Sequence, residues 1–263
     1  MLDKGRCLAA LLLAMGMSVS GAREAQSETG VDLALVLAVD VSFSMENDEQ
    51  ELQRQGFVEA FRASEVHDAI RNGMLGRIAV VYIEWAGASF QEVLVPWTLI
   101  EQPSDALGFA TILAQSSTRR AGYTSISGAI DYSLGQLGLS GVQSVRQVID
   151  ISGDGANNQG RTVTLARDEA VAQGITINGL PIMLNRPDSI WDIANLDLYY
   201  RDCVIGGPGA FMIPVREKHQ FVQAIKSKII REIAAQPLPQ ALVQPAQGKP
   251  TANCLSGETR TRQ

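Results

Sequence analysis

Apolar residues recur along this chain in two rhythms, and the rhythms alternate. Short unbroken apolar runs that stop abruptly at Asp, Ser or Gly read as strands buried on both faces. Val31 to Val41 is the clearest, with Leu33-Ala34-Leu35-Val36-Leu37-Ala38-Val39 at its heart and Asp40 and serines at its end. Arg77 to Trp85, Gln91 to Trp97, Val145 to Ile151, Ile175 to Ile182 and Phe211 to Val215 read as further strands, the first two of these joined as a hairpin through Gly87. Segments with helical spacing lie between them. Glu46 to Arg62 places Leu52, Phe57, Val58 and Phe61 on one side and crowds acids at its start, where the helix dipole favours them. Pro103 to Ala114, Thr124 to Leu137, Arg161 to Gln173 (closed by Gly174), Ser189 to Leu198 and Arg216 to Ala235 complete the helices. Strands alternating with helices predict an α/β fold: a mostly parallel central sheet, one antiparallel edge strand from the hairpin, and helices on both faces.

In such sheets ligands sit where loops leave the carboxyl ends of the strands. Three segments there carry chemistry. In Asp40-Val41-Ser42-Phe43-Ser44, alternate residues of an extended loop share a face. Asp40, Ser42 and Ser44 then converge while Val41 and Phe43 turn inward. One carboxylate and two hydroxyls suit a hard cation such as Mg²⁺, Mn²⁺ or Ca²⁺; the same residues also suit caps for the helix beginning near Glu46. Thr124 follows Gly122-Tyr123 directly before a helix and, taken alone, reads as an N-cap. Asp154, between Gly153 and Gly155 at a strand end, serves a turn as well as a ligand site.

The ends of the chain differ from its middle. Lys4 and Arg6 precede an uncharged run from Cys7 to Val19 and the small residues Ser20-Gly21-Ala22, the three-part pattern of a secretory leader over residues 1–22. Residues 23–30 are polar. From Gln236 to residue 263 the composition turns rich in Pro and Gln and packs poorly. Export predicts a periplasmic or secreted protein. Loss of the leader removes Cys7 and leaves Cys203 and Cys254, which an oxidising compartment allows to pair or which remain as two buried thiols. The net charge of −6 offers no attraction to nucleic acid or to an anionic membrane.

Taken in order, Asp-x-Ser-x-Ser at a strand end, a Gly-x-Thr loop and a second strand-end Asp-Gly resemble the metal-ion-dependent adhesion site (MIDAS) of von Willebrand factor A domains. The resemblance covers residues 31–235 and implies a Rossmann-like fold. It implies a metal shell of Asp40, Ser42, Ser44, Thr124 and Asp154, a divalent cation (foremost Mg²⁺), and an open position for an acidic group on a partner protein or peptide. It further implies that Thr124 moves onto the metal as a partner engages, with Arg216 to Ala235 as the helix placed to respond. Gly153 departs from the pattern, since many such domains carry threonine there. The chain also resembles a narrower group of exported bacterial proteins of unknown function, through Gly76-Arg77-Ile78-Ala79-Val80, Glu84-Trp85, Val95-Pro96-Trp97, Ser152-Gly153-Asp154-Gly155 with Asn157-Asn158, and Cys203-Val204-Ile205-Gly206-Gly207-Pro208-Gly209.

Two other functions fit some of the same residues. Gly153-Asp154-Gly155-Ala156-Asn157-Asn158 is similar to a loop of haloacid dehalogenase-type phosphatases. Those enzymes need a nucleophilic Asp followed two residues later by a general acid; Ser42 holds that second place and cannot protonate a leaving group as a carboxylic acid does. A scaffold whose metal only braces three loops needs the same five side chains. His67 and His219 have no zinc-site spacing and read as surface or capping residues, while Trp85, Trp97 and Trp191 read as core or loop anchors. The expectation is a binding domain without a catalytic centre.

Overall fold

The structure, a computed structural model, describes residues 28–184, 193, 195–234, 244–245 and 252–260. The leader, Trp191, most of the segment 185–194 and most of the Pro/Gln-rich tail lie outside the described residues. Among the described residues seven strands form one sheet: β1 (Thr29–Asp40), β2 (Ile78–Trp85), β3 (Gln91–Ile100), β4 (Val142–Gly153), β5 (Thr176–Pro181), β6 (Phe211–Met212) and β7 (Gln244–Pro245), in the order β3-β2-β1-β4-β5-β6-β7. β1 runs parallel to both β2 and β4, and β4 to β5. β3 is the antiparallel edge strand expected from the hairpin. At the opposite edge the two residues of β7 pair antiparallel with β6.

Every residue of β1 from Val31 to Asp40 is buried, which is why it reads as an unbroken apolar run. Its odd-numbered residues Leu33, Leu35 and Leu37 pack with Phe57 and Phe61 of α1 (Asn47–Arg62), Phe109 of α3 (Pro103–Gln115), and Ile225 and Ile229 of α7 (Phe221–Ala234). Its even-numbered residues Ala34, Val36 and Ala38 pack with Ile126 and Ile130 of α4 (Ile126–Gly138) and with Val163 and Ala166 of α5 (Val163–Ala172). Each such large aliphatic side chain contributes about 1.5–3 kcal/mol by leaving water.

Some elements differ from expectation. A short helix α2 (Ser64–Arg71) follows α1 after a break at Ala63, whose extended backbone ends one helix and starts the next. Of the helix expected over 189–198, residues 189–192 and 194 lie outside the described residues; α6 (Leu196–Tyr199) lies at its end and continues into a π-helical turn, Tyr200–Val204. The closing helix begins at Phe221 rather than Arg216, because Lys218–Gln220 form a 3₁₀ turn and the Arg216 N–H donates to the Gln220 side chain at 3.1 Å.

Cys203 in the π-helical turn and Cys254 are joined as a disulfide with a sequence separation of 51. A bridge closing a loop of that length contributes about 2–4 kcal/mol. Between α7 and the sheet lies a fully buried ionic triad. The Lys228 ammonium is 2.5 Å from a carboxylate oxygen of Asp150 on β4 and 2.5 Å from one of Glu232. Asn178 on β5 donates to the same Glu232 oxygen at 3.1 Å.

Candidate metal centre

β1 and β4 are neighbours, with Val39 opposite Ser152, so their carboxyl ends deliver Asp40 and Gly153-Asp154 side by side. The loop after β1 is pinned to the segment before α4: Ser42 bridges Ala121, and the Ala121 N–H donates to the Val41 carbonyl at 3.1 Å. That brings the Thr124 loop to the same place. Thr124 and Asn158 then clasp each other. The Thr124 N–H donates to the Asn158 side-chain oxygen at 2.9 Å, and the Asn158 N–H donates to the Thr124 carbonyl at 2.8 Å.

The side chains form a connected set of oxygens. Ser42 Oγ is 2.8 Å from Ser44 Oγ, and Ser44 Oγ donates to Asp154 Oδ1 at 2.7 Å. Asp40 Oδ1 accepts from the Ser42 N–H at 2.7 Å. Thr124 is buried beside Gly155, its Oγ1 3.5 Å from where a Cβ on that glycine would lie. Asp40, Ser42 and Thr124 make a buried floor, and Ser44 and Asp154 sit nearer solvent. Asp40, Ser42, Ser44 and Asp154 are thus linked through direct contacts, and Thr124 joins them by its loop.

Two alternative roles for these residues are taken by others. α1 starts after Glu46, whose N–H donates to the Glu49 carboxylate at 3.0 Å, so Asp40, Ser42 and Ser44 do not cap it. α4 is capped by Ser125, whose Oγ accepts from the Gly128 N–H at 3.1 Å, so the Thr124 hydroxyl is not the cap either.

Electrostatically the site concentrates buried negative charge. Asp40 is fully buried, and its second oxygen, Oδ2, has no well-formed hydrogen bond, although the Asp154 backbone N–H lies near enough to favour the ionised form slightly. Burial first, and the charge of Asp154 second, push the Asp40 carboxyl well above the usual carboxylate range. An unpaired buried carboxylate beside a second one is costly, and a cation relieves both costs. The donors are all oxygen, which fits Mg²⁺, Mn²⁺ or Ca²⁺. Among the described residues no group of three or more His, Cys, Asp and Glu could hold a metal, so hydroxyls must supply much of any shell here. The set therefore fits a divalent ion by donor chemistry and by its orphaned oxygen.

One orientation is corrected. Val41 is buried as expected, but Phe43 is 63% exposed rather than turned inward. Strand alternation ends at Asp40, and the chain turns, with the Met45 N–H donating to the Ser42 carbonyl at 3.1 Å. Arg120 holds that turn by donating to the Phe43 and Met45 carbonyls at 2.8 Å each, and its guanidinium lies 5.5 Å from the Phe43 ring centroid. Tyr123 is also exposed and is the one non-glycine residue at positive φ, 67°, among the described residues.

Tyr200 has no signal in the sequence pattern, yet it explains Gly153. Its hydroxyl donates to the Gly153 carbonyl at 3.3 Å. A Cβ at position 153 would lie 2.7 Å from Asp40 Oδ2 and 3.1 Å from the Tyr200 hydroxyl oxygen. Space that a threonine would take is occupied by a tyrosine arriving from the π-helical turn. Gly153→Thr is therefore expected to displace the Asp40 carboxylate, costing about 1–3 kcal/mol in a urea melt and weakening Mn²⁺ binding measured by titration. Other anchors are as expected: Trp85 is buried, the Trp97 indole donates to the Gln136 carbonyl at 3.0 Å, His67 bonds the Phe61 carbonyl at 2.8 Å, and His219 lies exposed beside Glu217.

A family model described as "Protein of unknown function (DUF1194)" matches residues 30–237. The chain belongs to this DUF1194 family. No curated protein sequence matches it. Among solved structures, the DUF1194 chain is similar to the pilus adhesin SpaC of Lactobacillus rhamnosus GG, with a TM-score of 0.58 and 13% identity over 77% of this chain and 31% of that one. It is also similar to proximal thread matrix protein 1 of the mussel byssus, with a TM-score of 0.53 and 14% identity over 79% of this chain and 49% of that one. A further structure of the mussel protein has a zinc-occupied MIDAS motif and matches with a TM-score of 0.53 and 15% identity over 79% of this chain and 49% of that one. The chain thus spans half or less of the length of these proteins. The likeness is one of fold: this chain has the fold of von Willebrand factor A domains.

Proposed function

We propose that this protein holds a divalent cation, foremost Mg²⁺, with Asp40, Ser42, Ser44, Thr124 and Asp154, and uses it to grip an acidic group on a partner protein or peptide. The observation that carries this reading is the buried Oδ2 of Asp40, which lacks a well-formed hydrogen bond, beside the run of oxygens from Ser42 through Ser44 to Asp154. When bound, such an ion acts as an electrophile for a carboxylate, more strongly when its shell is rich in neutral hydroxyls than when it is ringed by charges. The residues themselves set that balance: two carboxylates offset the ion's charge, and three hydroxyls leave it attractive. The zinc-occupied MIDAS of the mussel protein supports a divalent ion in a protein of this fold.

Binding fits better than catalysis. Ser42 stands where a phosphatase needs its general acid, and its hydroxyl is engaged with Ser44. The fold neighbours include an adhesin and a matrix protein. Export is supported by the disulfide and by the leader pattern, and no described helix is long and apolar enough to cross a membrane. The exposed Phe43 and Tyr123 neighbour Ser42, Ser44 and Thr124 in the chain and offer apolar contact around the gripped acid.

The test is co-purification of partners from the native envelope with tagged protein, in Mg²⁺ and in chelator. Partners are expected in Mg²⁺ only, and Asp40→Ala with Ser42→Ala should lose them while staying folded. Phe43→Ala should weaken capture by roughly tenfold, a loss of about 1–2 kcal/mol, without changing Mn²⁺ affinity. Capture that is unchanged by chelator and by the double substitution sinks the proposal. If chelation lowers only the melting temperature, the ion is a brace and the scaffold reading replaces it.

A further inference from the structure

The short segment beyond the disulfide does more than fill space. Cys254 is tied to Cys203, and the Ala252 N–H donates to the Asp202 carboxylate at 2.9 Å, so the segment starts from a fixed point. The helix α8 (Ser256–Arg260) then lies against the loop that follows Asp154. The contact is backbone-close: a Cβ on Gly257 would stand 2.2 Å from the Asn157 carbonyl oxygen. Glu258 Oε1 accepts from the Asn157 side-chain amide at 3.0 Å and from the N–H of Val163, the first residue of α5, at 3.1 Å.

Asn157 is where these contacts converge on the metal centre. It is fully buried and three residues beyond Asp154. Its side-chain oxygen accepts from the Ser127 N–H at 3.0 Å, in the first turn of the helix that follows Thr124. Its amide donates to the Arg161 carbonyl at 3.0 Å as well as to Glu258, and its backbone N–H donates to the Tyr199 hydroxyl at 3.2 Å. One side chain therefore ties the Asp154 loop to the Thr124 loop, and Glu258 holds that side chain from the far end of the chain.

We infer that Glu258 is a positioning residue for the metal centre, acting through Asn157, and that the Cys203–Cys254 disulfide makes its engagement redox-dependent. The inference rests on the metal reading above. A five-residue helix has no stability alone, because nucleation costs more than its few hydrogen bonds return. Only a high local concentration keeps Glu258 at Asn157, and the cross-link supplies it. A dithiol reductant would break the S–S bond with two electrons and two protons, forming two cysteine thiols as the dithiol closes to its own disulfide. Attack falls on Cys254, because Cys203 is fully buried and Cys254 is only partly so. Release of the segment unclamps Asn157, and the Asp154 and Thr124 loops then hold their ligands less rigidly.

The test uses the full chain and Mn²⁺ alone as the probe, with hydrogen exchange of residues 154–163 as a metal-free readout. Glu258→Ala is expected to weaken Mn²⁺ binding by roughly tenfold, as outer partners of metal ligands do, and to speed exchange across 154–163. Glu258→Gln should restore both, since its amide oxygen accepts the same two hydrogen bonds. Cys203→Ser with Cys254→Ser, or dithiol treatment of the native chain, should match Glu258→Ala. If the cysteine variants fail to fold, Glu258→Ala, which keeps the disulfide, decides the matter. Mn²⁺ affinity within twofold of the native value together with unchanged exchange overturns the inference. If the native chain binds no Mn²⁺ at all, the metal reading fails, and exchange alone decides: acceleration keeps Glu258 as the clamp of the loop, and no acceleration removes it.

Discussion

Asp40→Asn is expected to stabilise the metal-free protein and to abolish its response to Mg²⁺. These two effects oppose each other, and a residue with a purely structural role would not produce both. In the native chain Asp40 is fully buried, its Oδ2 lacks a well-formed hydrogen bond, and Asp154 lies close enough to raise its pKa further. Removing the charge removes the repulsion and the desolvation cost, while the amide oxygen can still accept from the Ser42 N–H. A relief of about 1–2 kcal/mol corresponds to a rise of roughly 2–8 °C in the melting temperature of a domain this size. With metal the order reverses. The native protein gains about 2.7 kcal/mol at a concentration one hundred times the dissociation constant, and the variant gains nothing. Differential scanning calorimetry in chelator and in millimolar Mg²⁺ reads both signs. A variant less stable than the native chain in chelator would show that Asp40 is held by contacts that need its charge, and the case for Asp40 as a cation ligand would fall.

Lys228→Met should be strongly destabilising, and the damage should depend on pH. The ammonium sits between Asp150 and Glu232 with all three side chains buried. Removing the cation leaves two carboxylates facing each other away from water, a loss of about 3–5 kcal/mol. At pH 8 that lowers the melting temperature by roughly 6–20 °C; at pH 5 the carboxylates can take up protons and the loss shrinks. The native triad already shows the sign. Burial, and then the charge of Asp150, push Glu232 up to about 7, and burial raises Asp150 as well. A carboxyl whose pKa is raised in the folded state keeps a proton that the unfolded chain has released. Its contribution is present in full below the unfolded value near 4.5 and is lost as pH climbs to about 7. The change is about 3 kcal/mol at most. Urea melts from pH 4.5 to 8 should show a decline in native stability across that window, and Glu232→Gln should flatten it. A native profile that rises with pH and is unaltered by Glu232→Gln would remove the triad from the account.

The strands were legible because their chemistry is local. β1 from Val31, β2, and β4 from Val148 onward are covered on both faces, so each of these stretches reads as a mostly apolar run whatever packs on it. The break at Ala63 was not legible, since Arg62-Ala63-Ser64-Glu65 holds no glycine or proline and only packing turns the chain there. The same division runs through the site. Asp40, Ser42, Ser44, Thr124 and Asp154 stand out because oxygen-bearing side chains at strand ends after apolar runs are conspicuous one segment at a time. Phe43 was misread as inward because alternation holds only while the strand lasts, and a turn held by Arg120, more than seventy residues away, overrides it.

What the sequence determined by itself was a parallel α/β sheet and the three loops at its carboxyl end. Burial and hydrophobic periodicity act over a few residues and leave their mark on those residues. What only the tertiary structure decided was the company these loops keep: Tyr200 in place of a side chain at Gly153, Lys228 between two carboxylates, and Glu258 on Asn157 across the disulfide. Those contacts join segments far apart in the chain, and no local pattern records a hydrogen bond whose two ends fold together only once the core has formed.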